Sequence, residues 1–138
     1  MKSLWLTIVF SCIYIQLFAQ MNISTNLRQD GYWDEEKEEW IIVSEDEDEL
    51  TFFEFNKDFT MFKHTTPGIT SAYIIKSQTK DEERNQFELT VVSDVGNKYM
   101  MILDVTNNNL RFLYEKKGTM WMVRHSIKRT WFDDDDDE

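Results

Sequence analysis

Few side chains in this sequence could carry out a reaction. The 138 residues include one cysteine and two histidines, at Cys12, His64 and His125. An activated serine would need a presenting signature such as G-x-S-x-G, and the chain has none. A zinc site needs three or four ligands at recognisable spacing, and neither histidine stands in such a group. Carboxylates are plentiful, with 26 Asp and Glu, so a pair for glycoside hydrolysis can be chosen anywhere and no pair recommends itself. The run Glu45-Asp46-Glu47-Asp48-Glu49 lacks the glycine and ligand spacing of a calcium loop. These residues point away from an enzyme, from a bound metal and from a cofactor. Each histidine reads as a hydrogen-bonded structural group.

Aromatic residues carry the stronger signal, at 14% of the chain. Phe53, Phe55, Tyr73, Phe87, Tyr99, Phe112, Tyr114 and Trp121 fall where period-two alternation would gather them on one face. Such a face in a small barrel is either filled by its own side chains or shaped around one small ligand. The candidate ligand-binding set is Phe53, Phe55, Tyr73, Phe87, Tyr99, Phe112 and Trp121. Its ligand would be apolar, with Tyr73 or Tyr99 offering a phenolic hydrogen bond. Burying each ring stabilises a fold by about 1.5–3 kcal/mol, so a packed core accounts for the same residues without a ligand. Out of phase with them run Leu50, Phe52, Met61, Met100, Ile102, Met120 and Met122. That second face is either covered by another segment or forms a contact patch, including one for a homodimer.

The elements that would position these side chains are strands. Alternation is cleanest in Phe87–Val91, continues through residues 97–105, and recurs at Leu110, Phe112 and Tyr114 and at Trp121, Val123 and Ile127. Glu39–Ser44, Leu50–Asn56, Phe59–Thr65 and Thr70–Ser77 complete about eight short strands. Asn56-Lys57-Asp58, Pro67-Gly68 as a type II turn, Asp94–Asn97, Thr106–Asn109 and Lys116–Gly118 supply the reversals. Lys80–Asn85 reads as a longer charged loop, and Asn22–Gly31 as an extended or partly ordered arm. The predicted fold is all-β, an antiparallel meander of about eight strands closed into a small barrel, because closure removes the two edges.

Residues 1–20 read as a secretory signal peptide, with Lys2 ahead of an apolar run from Leu4 to Ala19. Residues 21–132 form the single β domain and residues 133–138 an acidic tail. Val9-Phe10-Ser11-Cys12 loosely resembles a lipoprotein box, but the chain stays apolar from Ile13 to Ala19, which speaks against lipidation. The whole chain carries a net charge of −11; loss of the leader removes Lys2 and Cys12. A cysteine-free exported domain fits a bacterial periplasmic or secreted protein better than a disulfide-rich animal one. The negative charge argues against nucleic acid and against adhesion to anionic lipid. It would steer the protein toward a cationic protein partner. No transmembrane anchor is expected once the leader is cleaved.

Two stretches resemble the lipocalin superfamily of small-ligand barrels. Gly31-Tyr32-Trp33 is similar to the G-x-W at the start of a lipocalin's first strand, and Ser93-Asp94-Val95-Gly96-Asn97-Lys98-Tyr99 to its T-D-Y turn. The resemblance implies that Trp33 plugs the closed end of a barrel and that Arg124 or Arg129 packs across it. The chain is also similar in character to the small, uncharacterised exported β proteins of Gram-negative bacteria, a likeness that implies no activity. The sequence thus suggests a non-enzymatic binding protein for a small apolar ligand. The alternative is a protein-interaction module, an inhibitor or assembly component, using an acidic or Met-rich surface.

Overall fold

The alternation becomes eight strands joined by short turns. They are β1 (Gln20–Asp34), β2 (Glu39–Phe55), β3 (Met61–Thr65), β4 (Thr70–Asp81), β5 (Gln86–Ser93), β6 (Lys98–Asp104), β7 (Asn109–Lys116) and β8 (Thr119–Asp133). The computed structural model describes residues 20–133. The leader, Cys12 and tail residues 134–138 lie outside the described residues. Each strand pairs antiparallel with the next, and β8 pairs with β1, so the meander is a closed barrel.

Eight strands are present, but two of them differ from the expectation. Glu39–Ser44 and Leu50–Asn56 are halves of the single strand β2, which runs through the acidic stretch. β2 absorbs the interruption with an irregularity opposite Asn26, beside which Leu50 takes a left-handed φ of 62° with its side chain exposed. The missing eighth strand is β1, which occupies the stretch read as a loose arm. β1 pairs with β2 on one side and β8 on the other, so its backbone groups are satisfied however polar its side chains are.

The turns show why the chain reverses where it does. Lys117 and Gly118 both have positive φ, 52° and 81°, the two-residue type I′ geometry whose twist matches the flanking strands. Asn56 organises the β2–β3 turn, its Oδ1 accepting from the backbone N–H groups of Thr60 and Met61 at 2.9 and 3.1 Å. The Pro67-Gly68 reversal is not the expected type II turn, because Gly68 does not take the positive φ that type II requires. The charged loop after β4 shortens to residues 82–85, since Lys80 and Asp81 still pair with Phe87 and Gln86.

The core fills the barrel between its lower turns and its middle. Ile23, Phe53, Phe55, Phe62, Leu89, Val91, Met101 and Leu110 are each 1% exposed or less. Phe59, from the β2–β3 turn, stacks on Phe55 with centroids 5.1 Å apart and helps seal that end. The outer waist carries charge and amide groups. Gln29 donates to Glu45 at 2.7 Å and accepts from Arg124 at 2.9 Å, and Arg124 lies opposite Arg111 in the register. Among the described residues no helix is long and apolar enough to cross a membrane.

The expected Met-rich outer face does not form one exposed patch. Met100 and Met120 are exposed, but Met122 and Ile102 are buried. Met122 lies opposite Gly31, whose missing side chain leaves room for the Ile42 side chain. A Cβ at Gly31 would meet the Ile41 carbonyl oxygen at 2.6 Å and Ile42 Cδ1 at 3.1 Å. Gly31→Ala is therefore expected to cost about 1–3 kcal/mol in chemical denaturation. Gly68→Ala, where the added atom meets nothing within 4 Å, should be neutral or slightly stabilising.

Asp104 ties β5, β6 and β7 together near the sealed end. It is 3% exposed, accepts from Asn107 N at 3.1 Å, Asn107 Nδ2 at 3.0 Å and Gln86 Nε2 at 3.1 Å, and pairs with Arg111 at 3.5 Å. Burial alone would raise its pKa. The Asn107 and Gln86 hydrogen bonds and the Arg111 charge outweigh that and hold the carboxyl below its ordinary range. A depressed folded pKa means the stabilisation is complete above the unfolded value of about 3.9 and disappears as pH falls through the folded value. Asp104→Asn should cost about 1–3 kcal/mol at neutral pH, and the difference from the parent should shrink in melts taken below about pH 4.

Candidate functional site

Interior positions divide into an apolar end and a polar end. Directly opposed residues share a face, so the register traces the interior strand by strand. At the sealed end this trace joins Phe55 and Phe62, and farther round Phe87, Leu103 and Leu110, while Tyr73, opposite both Phe62 and Ser93, leads toward the other end. Toward the end bearing the β1–β2, β3–β4, β5–β6 and β7–β8 turns, it meets His64, Tyr99, Tyr114, Val123 and His125.

β1 also contributes charge to that end, and a bulge is the reason. Ile23 and Thr25 face inward opposite Phe53 and Thr51. Simple alternation would then send Leu27 inward and Arg28 outward. The irregularity at Asn26 inserts one residue, so that Leu27 opposes Ser126 and Arg28 opposes His125. Arg28 and Asp30 are thereby turned to the interior side. Arg28 donates to Asp30 through Nε at 2.9 Å and Nη2 at 3.1 Å. The pair stands at the opening, with side-chain exposures of 44% and 26%.

A cavity of about 190 Å³ lies beneath this pair. Its walls are the rings of Tyr73, Tyr99, Phe112 and Tyr114 with Val123, and Arg28, His64 and His125 complete the lining. The rings hold one another edge to face. Tyr99 stands 6.2 Å from Tyr73, 5.8 Å from Phe112 and 5.7 Å from Tyr114, at interplanar angles of 61°, 81° and 85°. Such arrangements align ring edges with ring faces and favour rigidity. His64 lies flat on Phe53, with centroids 4.2 Å apart and a tilt of 10°, and His125 meets both edge-on.

The electrostatics keep the phenols of Tyr73 and Tyr114 protonated. Burial raises the Tyr73 pKa, reinforced by Tyr99 and Asp94 and opposed by Arg28. Tyr114 is raised by burial, then by Asp30 and Tyr99, again with Arg28 opposing. Both hydroxyls therefore remain available as neutral donors and acceptors well above neutral pH.

The sequence-selected residues end in four places. Tyr73, Tyr99 and Phe112 line the cavity. Phe53 and Phe55 form the filled core below it, both fully buried. Phe87 packs near the far end with the Lys80 ammonium 5.5 Å from its ring centre. Trp121 stands at the rim with Tyr32, centroids 5.4 Å apart. Tyr114 was legible in the same aromatic alternation, whereas Arg28, His64, Val123 and His125 are additional lining residues. Alternation carried from Phe62 to His64 and from Val123 to His125 points to both imidazoles. Nothing in the local sequence announces the bulge that turns Arg28 inward.

The motif positions behave differently from what the family resemblance implies. Gly31-Tyr32-Trp33 lies near the end of β1, not its beginning. Trp33 does not plug the sealed end; it packs against Trp40 at 5.5 Å beside the β1–β2 turn. Arg124 bonds Gln29, and the Arg129 guanidinium lies 4.8 Å from the ring centre of Trp131. The Ser93–Asn97 turn joins β5 and β6, with Ser93 Oγ accepting from Asn97 N at 3.0 Å. The chain matches no protein-family model, no curated protein and no solved structure.

The contrast between filled and cavity-lining rings is measurable. Phe53→Ala should cost about 3–5 kcal/mol, the range for a fully buried ring. Phe87→Ala, at a half-buried position, should cost distinctly less in the same urea titration.

Proposed function

We propose that this is a non-enzymatic binding protein that takes a small, flat, largely apolar ligand into one end of the barrel. The carrying observation is the 190 Å³ cavity walled by Tyr73, Tyr99, Phe112 and Tyr114. It exceeds the ~150 Å³ engineered cavity that admits benzene and falls below the roughly 300–1,000 Å³ typical of drug-sized ligands. A single-ring molecule is the right scale. The lipocalin-like reading is supported by the closed barrel and its aromatic interior; the motif roles give it no support. The apolar leader supports export, to a bacterial periplasm or beyond the cell.

Native mass spectrometry of the protein purified from its own host tests this reading. The expected result is a bound small molecule that is absent from a Val123→Phe variant, whose larger side chain fills the cavity. A bare chain in both samples would refute it.

A second reading has its own observation. A groove of about 630 Å³ runs beside the β1–β2 and β7–β8 turns, with Asp34, Glu35, Glu36 and Glu115 around Trp33 and Met120. This acidic, aromatic surface fits a cationic protein partner. In the same measurement, a basic protein retained by a chain without a small ligand would favour it.

A further inference from the structure

We infer that the cavity selects a ligand bearing a carboxylate, or a similar compact anionic group, on its flat apolar body. This rests on the small-ligand reading and names the chemistry that such a ligand needs. Tyrosine rings meeting at steep angles could by themselves suit an organic cation. The rest of the wall decides against one. Arg28 lines the same small cavity, so an entering cation would meet guanidinium N–H donors at the opening and no carboxylate among the lining residues. The nearby Asp30 carboxylate is already engaged with that guanidinium through Nε at 2.9 Å and Nη2 at 3.1 Å.

Donors converge there from several strands. Arg28 comes from β1, His64 from β3, Tyr73 from β4, Tyr114 from β7 and His125 from β8. A guanidinium has five N–H donors and no acceptor, so Arg28 keeps donors beyond those it gives to Asp30. The tyrosine hydroxyls stay protonated and can donate as well. An anionic head placed toward Arg28 would receive charge-assisted hydrogen bonds, with the body of the ligand against Phe112 and Val123. Asp30 orients the guanidinium, and it also competes with the ligand for it. Replacing Asp30 and replacing Arg28 should therefore act in opposite directions.

The test uses benzoate, its neutral isostere benzamide and the cation benzylamine, each titrated calorimetrically into the purified protein at pH 7. Benzoate is expected to bind at least tenfold more tightly than either of the others. Arg28→Gln should reduce that preference at least tenfold, and Asp30→Asn should strengthen benzoate binding several-fold, a gain that misfolding does not produce. Benzamide binding as tightly as benzoate, benzylamine binding most tightly, or a preference that survives Arg28→Gln would overturn the inference. If Val123→Phe still abolishes binding in those cases, the small-ligand reading stands and only the charge assignment falls. If none of the three probes binds, the anion assignment falls, and the host-purified sample decides the small-ligand reading separately.

Discussion

An eight-stranded antiparallel sheet left open would expose a row of backbone N–H and C=O groups along each outer strand. Here β1 hydrogen-bonds to β2 on one side and β8 on the other, which satisfies both rows at once. Everything inside the barrel depends on this closure. It encloses Phe53, Phe55 and Phe62, gives the sheet a distinct inside and outside, and leaves two ends that can differ. Without β1, the aromatic face would lie open and the mouth would lose Arg28 and Asp30.

That same strand combines order with polarity. β1 contains Thr25, Arg28 and Asp30 on the inner side and a bulge between them. A wholly regular β1 would keep Leu27 inside, extend the apolar filling upward and turn Arg28 out to solvent. One inserted residue instead converts the upper end of a packed barrel into a polar opening. The charged mouth and the bulge are therefore two aspects of one local irregularity, and the stable core below makes it tolerable.

Legibility in the sequence followed regularity. β5 through β8 were visible because Phe87, Leu89 and Val91, and later Phe112 and Tyr114, keep a strict period of two against polar neighbours. β1 was obscured because Asn22–Gly31 mixes polar residues on both faces and shifts phase at Asn26. β2 looked like two strands because the acids from Glu45 to Glu49 imitate a solvated loop, although the backbone ladder continues past them. At the site, Tyr73, Tyr99 and Phe112 were readable from alternation alone. Arg28 required knowledge of a register that only its two partner strands define, and Trp33 shows that a three-residue resemblance does not fix a side chain's place in a barrel.

Gln20 and Asp133 are paired across the β1–β8 seam, and Asn22 Nδ2 donates to the Asp133 carboxylate at 2.9 Å. The chain therefore enters and leaves the barrel side by side, at the sealed end. A reporter fused at either end of the described barrel would thus be joined on the side opposite Arg28, away from the opening.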